Sequence, residues 1–300
     1  MHVYDRAKAA ARSADHALRR TAAGSPWRRG LYEFVLFGVK QAWACLFGGA
    51  MLAALLLTHW LYPADAPLAR YDVLFFAALA LQVALVALKL ERPREIGVIL
   101  VFHVVGTLME LFKTAQGSWV YPEDNLIRIG GVPLFSGFMY ACVGSYLARA
   151  WRLFELRFSH YPPVWATALL AAGAYLNFFT HHFIVDLRWP LFAISALLFG
   201  RTWVWFRPDV TYRRMPLLLG FVLVALFIWL AENVGTFAMA WRYPDQREAW
   251  SVVSLDKFGS WYLLMLLSYV LVSLVHGPKP APASIRSGTG ATQAVVSPAE

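Results

Sequence analysis

Eight apolar runs decide what this chain can fold into. They cover residues 31–58, 73–90, 96–115, 132–151, 164–183, 189–206, 215–239 and 258–276. At 1.5 Å of rise per residue, each is long enough, or nearly so, to cross a ~30 Å hydrocarbon core as a helix. In lipid every backbone N–H and C=O must be satisfied within the protein, which leaves helices as the spanning element here. The expectation is an all-α, polytopic transmembrane helix bundle of about eight helices.

Composition points the same way. Hydrophobic residues make up 59% of the 300 and charged residues only 15%, against about 45–50% and about 25% in soluble domains. The 13 Trp suit the aromatic belts of a membrane protein. The net charge of +9 invites a nucleic-acid reading, but its distribution opposes one. With the N-terminus inside, the inner segments hold nineteen Lys and Arg and the outer loops seven, with Lys40 inside the first run. That asymmetry is positive-inside, with both termini cytoplasmic in a bacterial inner membrane. A soluble enzyme and a nucleic-acid binder are thereby excluded, and the lipid bilayer is the expected partner. Oligomeric state is not legible.

Residues 1–30 form a basic segment, read as a short helix on an anionic leaflet or as a disordered tail. Residues 277–300 are rich in Pro, Ser, Gly and Ala and read as a disordered cytoplasmic tail. Cys45 and Cys142 lie in apolar runs, where neither a disulfide nor a cysteine metal site is expected.

The chain also repeats itself. Glu110 is followed by Trp119, Tyr121 and Pro122, and Glu232 by Trp241, Tyr243 and Pro244. Leu31 and Glu33 match Leu153 and Glu155, and Thr58 and His59 match Thr180 and His181, all at the same offset of 122 positions. We read a tandem duplication, with four-helix repeats at 31–151 and 152–276. An even number of helices per repeat keeps the two in the same orientation, as in the parallel repeats of some transporters.

Glu110 and Glu232 are the leading catalytic candidates. A carboxylate inside a spanning helix costs at least about 2.5–3.5 kcal/mol, so it faces the bundle interior or a wet cavity. Two of them across a pseudo-twofold axis suit an acid and a base. The ordinary alternative is structural, with each carboxylate bonded to the indole of Trp119 or Trp241 or to a loop backbone. Trp119, Tyr121, Trp241 and Tyr243 are candidate substrate-binding residues; belt and turn residues are the ordinary reading. His103 shares a face with Glu110 seven residues on. His59, His181 and His182 sit at outer helix ends, with Asn177 and Asp186 nearby. His103 and His181 complete the substrate-binding set, as relay or hydrogen-bonded groups. No metal and no cofactor are implied. The run Gly130 to Leu134 reads as the cap that opens the fourth helix, Lys40 as a snorkelling or ion-paired side chain, and Asn233 and Gln116 as interhelical polar contacts.

On these motifs the chain resembles the YoaT-like family of bacterial integral membrane proteins, over most of residues 31–274. That resemblance implies a membrane protein and no activity. A weaker likeness, confined to Glu110, Gly117, Trp119, Tyr121 and the run Gly130 to Leu134, is to membrane-embedded carotenoid hydratases and lycopene cyclases. Those cyclases carry acidic residues shortly after the Gly-x-Pro segment, where this chain has Leu134, Phe135 and Ser136. The likeness therefore implies hydration or another proton-initiated reaction rather than cyclisation.

Three functions follow as expectations. The first is an enzyme acting on a lipid-soluble, isoprenoid-like or carotenoid-like small molecule through the paired glutamates. The second is a small-molecule or proton-coupled transporter, which needs a polar path; the inner halves of the third and seventh runs are apolar apart from His103, and no broken helix is evident. The third is a scaffold whose carboxylates lock the two repeats together.

Overall fold

The computed structural model describes residues 24–63 and 65–283. Residues 1–23 and 284–300, to which most of the basic segment and the polar tail belong, lie outside the described residues. Nine α-helices run through the described residues: α1 (Pro26–Ala44), α2 (Leu46–Leu61), α3 (Arg70–Ala87), α4 (Pro93–Ala115), α5 (Phe135–Leu153), α6 (Val164–Thr180), α7 (Arg188–Phe199), α8 (Leu217–Phe237) and α9 (Leu255–His276). Between them lie a two-stranded hairpin, β1 (Arg128–Ile129) with β2 (Val132–Pro133), and a three-stranded antiparallel sheet. The sheet is β3 (Arg157–Ser159), β4 (Trp203–Phe206) and β5 (Arg213–Pro216), in that order. The protein is essentially all-α.

Local sequence sets the helix ends. Pro93 opens α4, where its missing N–H costs nothing. Glu95 reaches back to accept from the Arg92 backbone N–H at 2.8 Å. Ser254 caps α9 through the Asp256 N–H, and Gly277 closes that helix at φ 70°.

Four helical segments are long and apolar enough to cross a membrane: Arg70–Ala87, Glu95–Ala115, Leu217–Phe237 and Leu255–His276. The bent pair α1–α2 is a fifth when counted as one span. Large apolar side chains project outward along the helices, including Val83, Leu100, Val104, Leu169 and Leu197, all of them exposed. Water does not tolerate so much apolar surface on a monomer; hydrocarbon does. These are the features of a membrane protein in contact with the bilayer.

Three sequence expectations need correction. The first apolar run is not continuous: α1 and α2 meet at 66° around Cys45. A broken helix is therefore present, at a place with no Pro to announce it. The sixth run stops as a helix at Phe199; β4 then pairs on both sides, with β3 and β5. Its Trp-Val-Trp-Phe composition suits a strand, which hydropathy alone does not distinguish from a helix end. Finally, Gly130 and Gly131 do not cap a helix. Both have positive φ, 56° and 83°, and turn the β1–β2 hairpin, so that α5 begins only at Phe135.

The core is built around α5 and α9, whose residues dominate the largest buried cluster. α5 packs on α4 and α2; α9 packs on α8 and α6; α5 and α9 pack on each other. α2 also crosses to α8, and α6 crosses to α4.

Candidate functional site

Helices α4 and α8 end alike. Gly117 and Met239 both take a left-handed backbone, at φ 68° and 56°. In the first copy the N–H groups of Gly117 and Ser118 bond to the carbonyls of Thr114 and Lys113; in the second, those of Met239 and Ala240 bond to Thr236 and Gly235, all four at 3.0 Å. This is the Schellman closure. Met239 is a bulky residue in a region that favours glycine, and Arg70 clamps it: Nη1 donates to Ala238 O at 2.9 Å and Nη2 to Met239 O at 3.1 Å. Tyr71 adds a bond to Ala240 O at 3.0 Å.

The closure turns each Trp-x-Tyr segment back over its own helix. Trp119 Nε1 and the Tyr121 hydroxyl donate to Glu110 Oε2 at 2.9 and 2.7 Å. Trp241 Nε1 donates to Glu232 Oε1 at 3.0 Å, and the Tyr243 hydroxyl donates to the same oxygen. Burial, reinforced by the neighbouring carboxylates, pushes the Tyr121 and Tyr243 phenols well above their ordinary range. Both hydroxyls are therefore fixed as donors. Gly235 makes room for this: a Cβ there would come within 2.3 Å of the Trp241 ring.

The two loops meet. Val120 and Arg242 form an antiparallel bridge with reciprocal N–H···O bonds of 2.9 Å. Trp119 packs edge-on against Tyr243, with ring centroids 6.1 Å apart.

The two carboxylates then differ. Glu110 receives a third donor: Tyr140 of α5 reaches Oε1 at 2.7 Å, its ring lying so close to Gly106 that a Cβ there would stand 2.5 Å away. Both oxygens of Glu110 are engaged. At the matching offset Tyr262 instead bonds to Ser195 at 2.8 Å. Among the described residues nothing donates to Glu232 Oε2. Glu110 and Glu232 are 5% and 4% exposed, so the difference lies in donors rather than burial.

Both carboxylates face one cavity of about 1020 Å³. Its apolar side is walled by Phe34, Phe37, Leu223 and Phe227 from α1 and α8, and its polar end by Lys113, His181, His182, Arg188 and Lys257. Trp119, Tyr121, Trp241, Tyr243 and His181 from the sequence reading all line it. His103 does not: it rests edge-on against Phe138 at 4.3 Å. His59 lines a separate pocket of about 370 Å³. Asn177 and Asp186 hold the α6–α7 loop, through a 3.0 Å bond between them and one from Leu187 N to Asn177 Oδ1 at 2.9 Å. Among the described residues no three His, Cys, Asp or Glu side chains converge as a metal site would.

Gln116 and Asn233 do something different from the sequence expectation, while Lys40 is tied to the backbone. Lys40 donates to two backbone carbonyls, Leu153 and Arg207, at 3.1 and 3.0 Å. Gln116 is exposed at the end of α4, so it bridges no helices in the interior. Asn233 accepts from the Val253 N–H at 2.9 Å and fixes a loop.

Sequence reasoning missed Tyr140, Lys113 and Lys257. Tyr140 stands thirty residues from Glu110 on a different helix, but it has a copy, Tyr262, at the repeat offset. Lys113 lies three residues after Glu110 and so shares that helix face.

Residues 33–269 match a family described as a protein of unknown function, DUF817. The chain belongs to the DUF817 family. This DUF817 chain is 44% identical over 245 residues to a Bacillus subtilis (strain 168) protein described as uncharacterized protein YoaT; the match covers 82% of this chain and 92% of the relative. No solved structure matches it. Nothing in these comparisons bears on the carotenoid-enzyme likeness.

Proposed function

We propose that this DUF817 protein is a membrane-embedded enzyme acting on a lipid-soluble small molecule of isoprenoid or carotenoid type, held in the cavity between α1, α4 and α8. Glu232 exchanges the proton, and Glu110 organises the loops. The observation that carries this reading is the inequality of the two carboxylates. Glu232 keeps one oxygen without a donor in a largely apolar wall, while both oxygens of Glu110 are engaged. A carboxyl so placed can give or take a proton without first breaking a hydrogen bond. Trp119, Tyr121, Trp241 and Tyr243 supply aromatic surface beside it, which attracts developing positive charge.

The reading includes the wider architecture. The protein is a helix bundle in a bacterial cytoplasmic membrane, with both termini inside, built from two four-helix units. α2–α5 form one unit and α6–α9 the other, with α1 outside the repeat because of the break at Cys45. Shifting α4 and α5 by 122 positions lands within about two residues of α8 and α9. The exchanged crossings α2–α8 and α6–α4 support a pseudo-twofold axis near the membrane normal.

The test is the lipid and pigment extract of a deletion strain, read by mass spectrometry and complemented in turn by wild type, Glu232→Gln and Glu110→Gln. A lipid-soluble species should build up in the deletion and persist with Glu232→Gln. An extract identical to that of the parent strain overturns the reading. A second reading, a scaffold, is favoured by one observation: each glutamate holds its own Trp-x-Tyr loop. Full complementation by Glu232→Gln would decide for it.

A further inference from the structure

Lys113 is the group that the carboxylate chemistry does not use. Its side chain is buried, at 6% exposure, one turn beyond Glu110 on α4. Nζ stands 3.1 Å from His181 Nε2 and 3.0 Å from His182 Nε2. His181 Nδ1 lies 2.7 Å from the Asn177 carbonyl. A carbonyl only accepts, so Nδ1 carries the proton and Nε2 is left as a bare acceptor. The ammonium is thus held by the His181 lone pair and stands within hydrogen-bond distance of His182 Nε2. These contacts fix its position and leave its charge uncompensated.

No carboxylate pairs with Lys113 among the described residues. The nearby Asp186 is engaged by Asn177 and Arg188. A buried cation without a counter-charge is costly unless something of opposite sign meets it. Lys257, over the Tyr243 ring at 4.3 Å, adds positive charge to the same end of the cavity; Arg188 there is paired with Asp186 at 3.1 Å, and Asp256 also lines it, so among the described residues Lys113 carries the charge without a carboxylate partner. The cavity runs on from there to the apolar wall of α1 and α8. One space therefore joins a cationic end to a greasy one.

We propose that Lys113, with Lys257, binds the oxyanion head, phosphate or carboxylate, of an amphipathic ligand whose chain lies along the apolar wall. This rests on the enzyme reading above and names the substrate class: a lipid-soluble molecule with an anionic head. Lys113 anchors the head three residues from Glu110, which places the chain beside Glu232.

The test is calorimetric titration of the purified full-length protein in a neutral detergent with octyl phosphate, octanoate, octanol and inorganic phosphate. Octyl phosphate or octanoate should bind, and the tighter of the two identifies the head. Lys113→Gln should weaken that binding about tenfold, the scale of one charge-assisted hydrogen bond, and Lys113→Arg should retain most of it. Lys257→Gln guards against a folding defect and should also weaken the anion. The proposal is overturned if octanol binds as tightly as both anions, or if neither lysine variant alters anion binding. It is also overturned if inorganic phosphate binds as tightly as octyl phosphate, which would make this a site for the free ion. Binding that depends on Lys113, together with an unchanged lipid extract in the deletion strain, would sink the enzyme reading and leave the anion site standing. Octanol binding as tightly as the anions does the reverse.

Discussion

Val120 and Arg242 exchange both of their backbone hydrogen bonds, although 122 positions separate them. That distance is also the offset of the sequence repeat. On the proposed duplication Val120 pairs reciprocally with its own counterpart, and the proposed twofold axis would pass beside this bridge. Hydrogen-bonded antiparallel pairs hold Cα atoms about 5.5 Å apart, within disulfide range. Cysteines placed at both positions, in a chain with Cys45 and Cys142 replaced by Ala, should oxidise to an intramolecular disulfide. Intact-mass analysis after thiol alkylation reads the result; two alkylated thiols under oxidising conditions would show that the loops do not meet.

The unequal donor sets predict unequal tolerance of amide substitution. In Glu232→Gln the amide oxygen can keep both donors, with its NH2 turned to the cavity. In Glu110→Gln the NH2 must face Tyr140 or the Trp119–Tyr121 pair, so one hydrogen bond is lost or reversed. Leaving a buried donor unsatisfied costs about 1–3 kcal/mol. Melting in detergent should therefore leave Glu232→Gln close to wild type and lower Glu110→Gln by several degrees. Glu110→Leu, which orphans three donors, should fall furthest. Equal melting of the two Gln variants would contradict the geometry.

Much of this was legible in the chain. The membrane class followed from the eight runs, and the Glu–Trp–Tyr spacing offered the indole-to-carboxylate bonds that close both loops as the alternative to a plain belt and turn. The asymmetry was not legible. Tyr140 and Tyr262 are the same residue at equivalent positions, and only packing sends one to Glu110 and the other to Ser195. The break at Cys45 was hidden for a related reason: an apolar run reads the same to a hydropathy window whether it is straight or bent by 66°. Trp203 to Phe206 was misassigned because lipid-soluble composition does not separate a strand from a helix end.

Away from the cavity, Glu91 and Arg149 form an ion pair with both side chains about 1% exposed, at 3.2 Å. Ser145 donates to the same Glu91 oxygen at 2.7 Å, and Arg149 also reaches the Trp43 carbonyl at 3.1 Å. Removing one partner strands a buried charge, at a cost of about 3–5 kcal/mol. Arg149→Met and Glu91→Gln should each lower the melting temperature sharply. The double variant should lose less than the sum of the two single losses, because neither charge is left alone. Strictly additive losses would mean that the two residues act independently.

The histidines at the cavity mouth give stability a pH dependence whose sign is fixed. Burial, and then the charge of Lys113, hold His181 and His182 below the ordinary imidazole value of 6.5. Arg188 and Lys257 add to the depression, and Asp186 opposes it at His181. In the unfolded chain both rings take up protons as pH falls through 6.5; in the folded protein they do so only at lower pH. Stability contributed by the neutral rings is thus full above 6.5 and is lost as pH falls from there through their folded values. Asp186 is depressed as well, but its contribution fades only below the ordinary carboxylate range near 3.8, so the two effects separate on the pH axis. The melting temperature in detergent should decline from about pH 6.5 downward. His181→Gln with His182→Gln should flatten that decline while leaving the fall below pH 4. A decline of the same slope in the double variant would assign it to other groups.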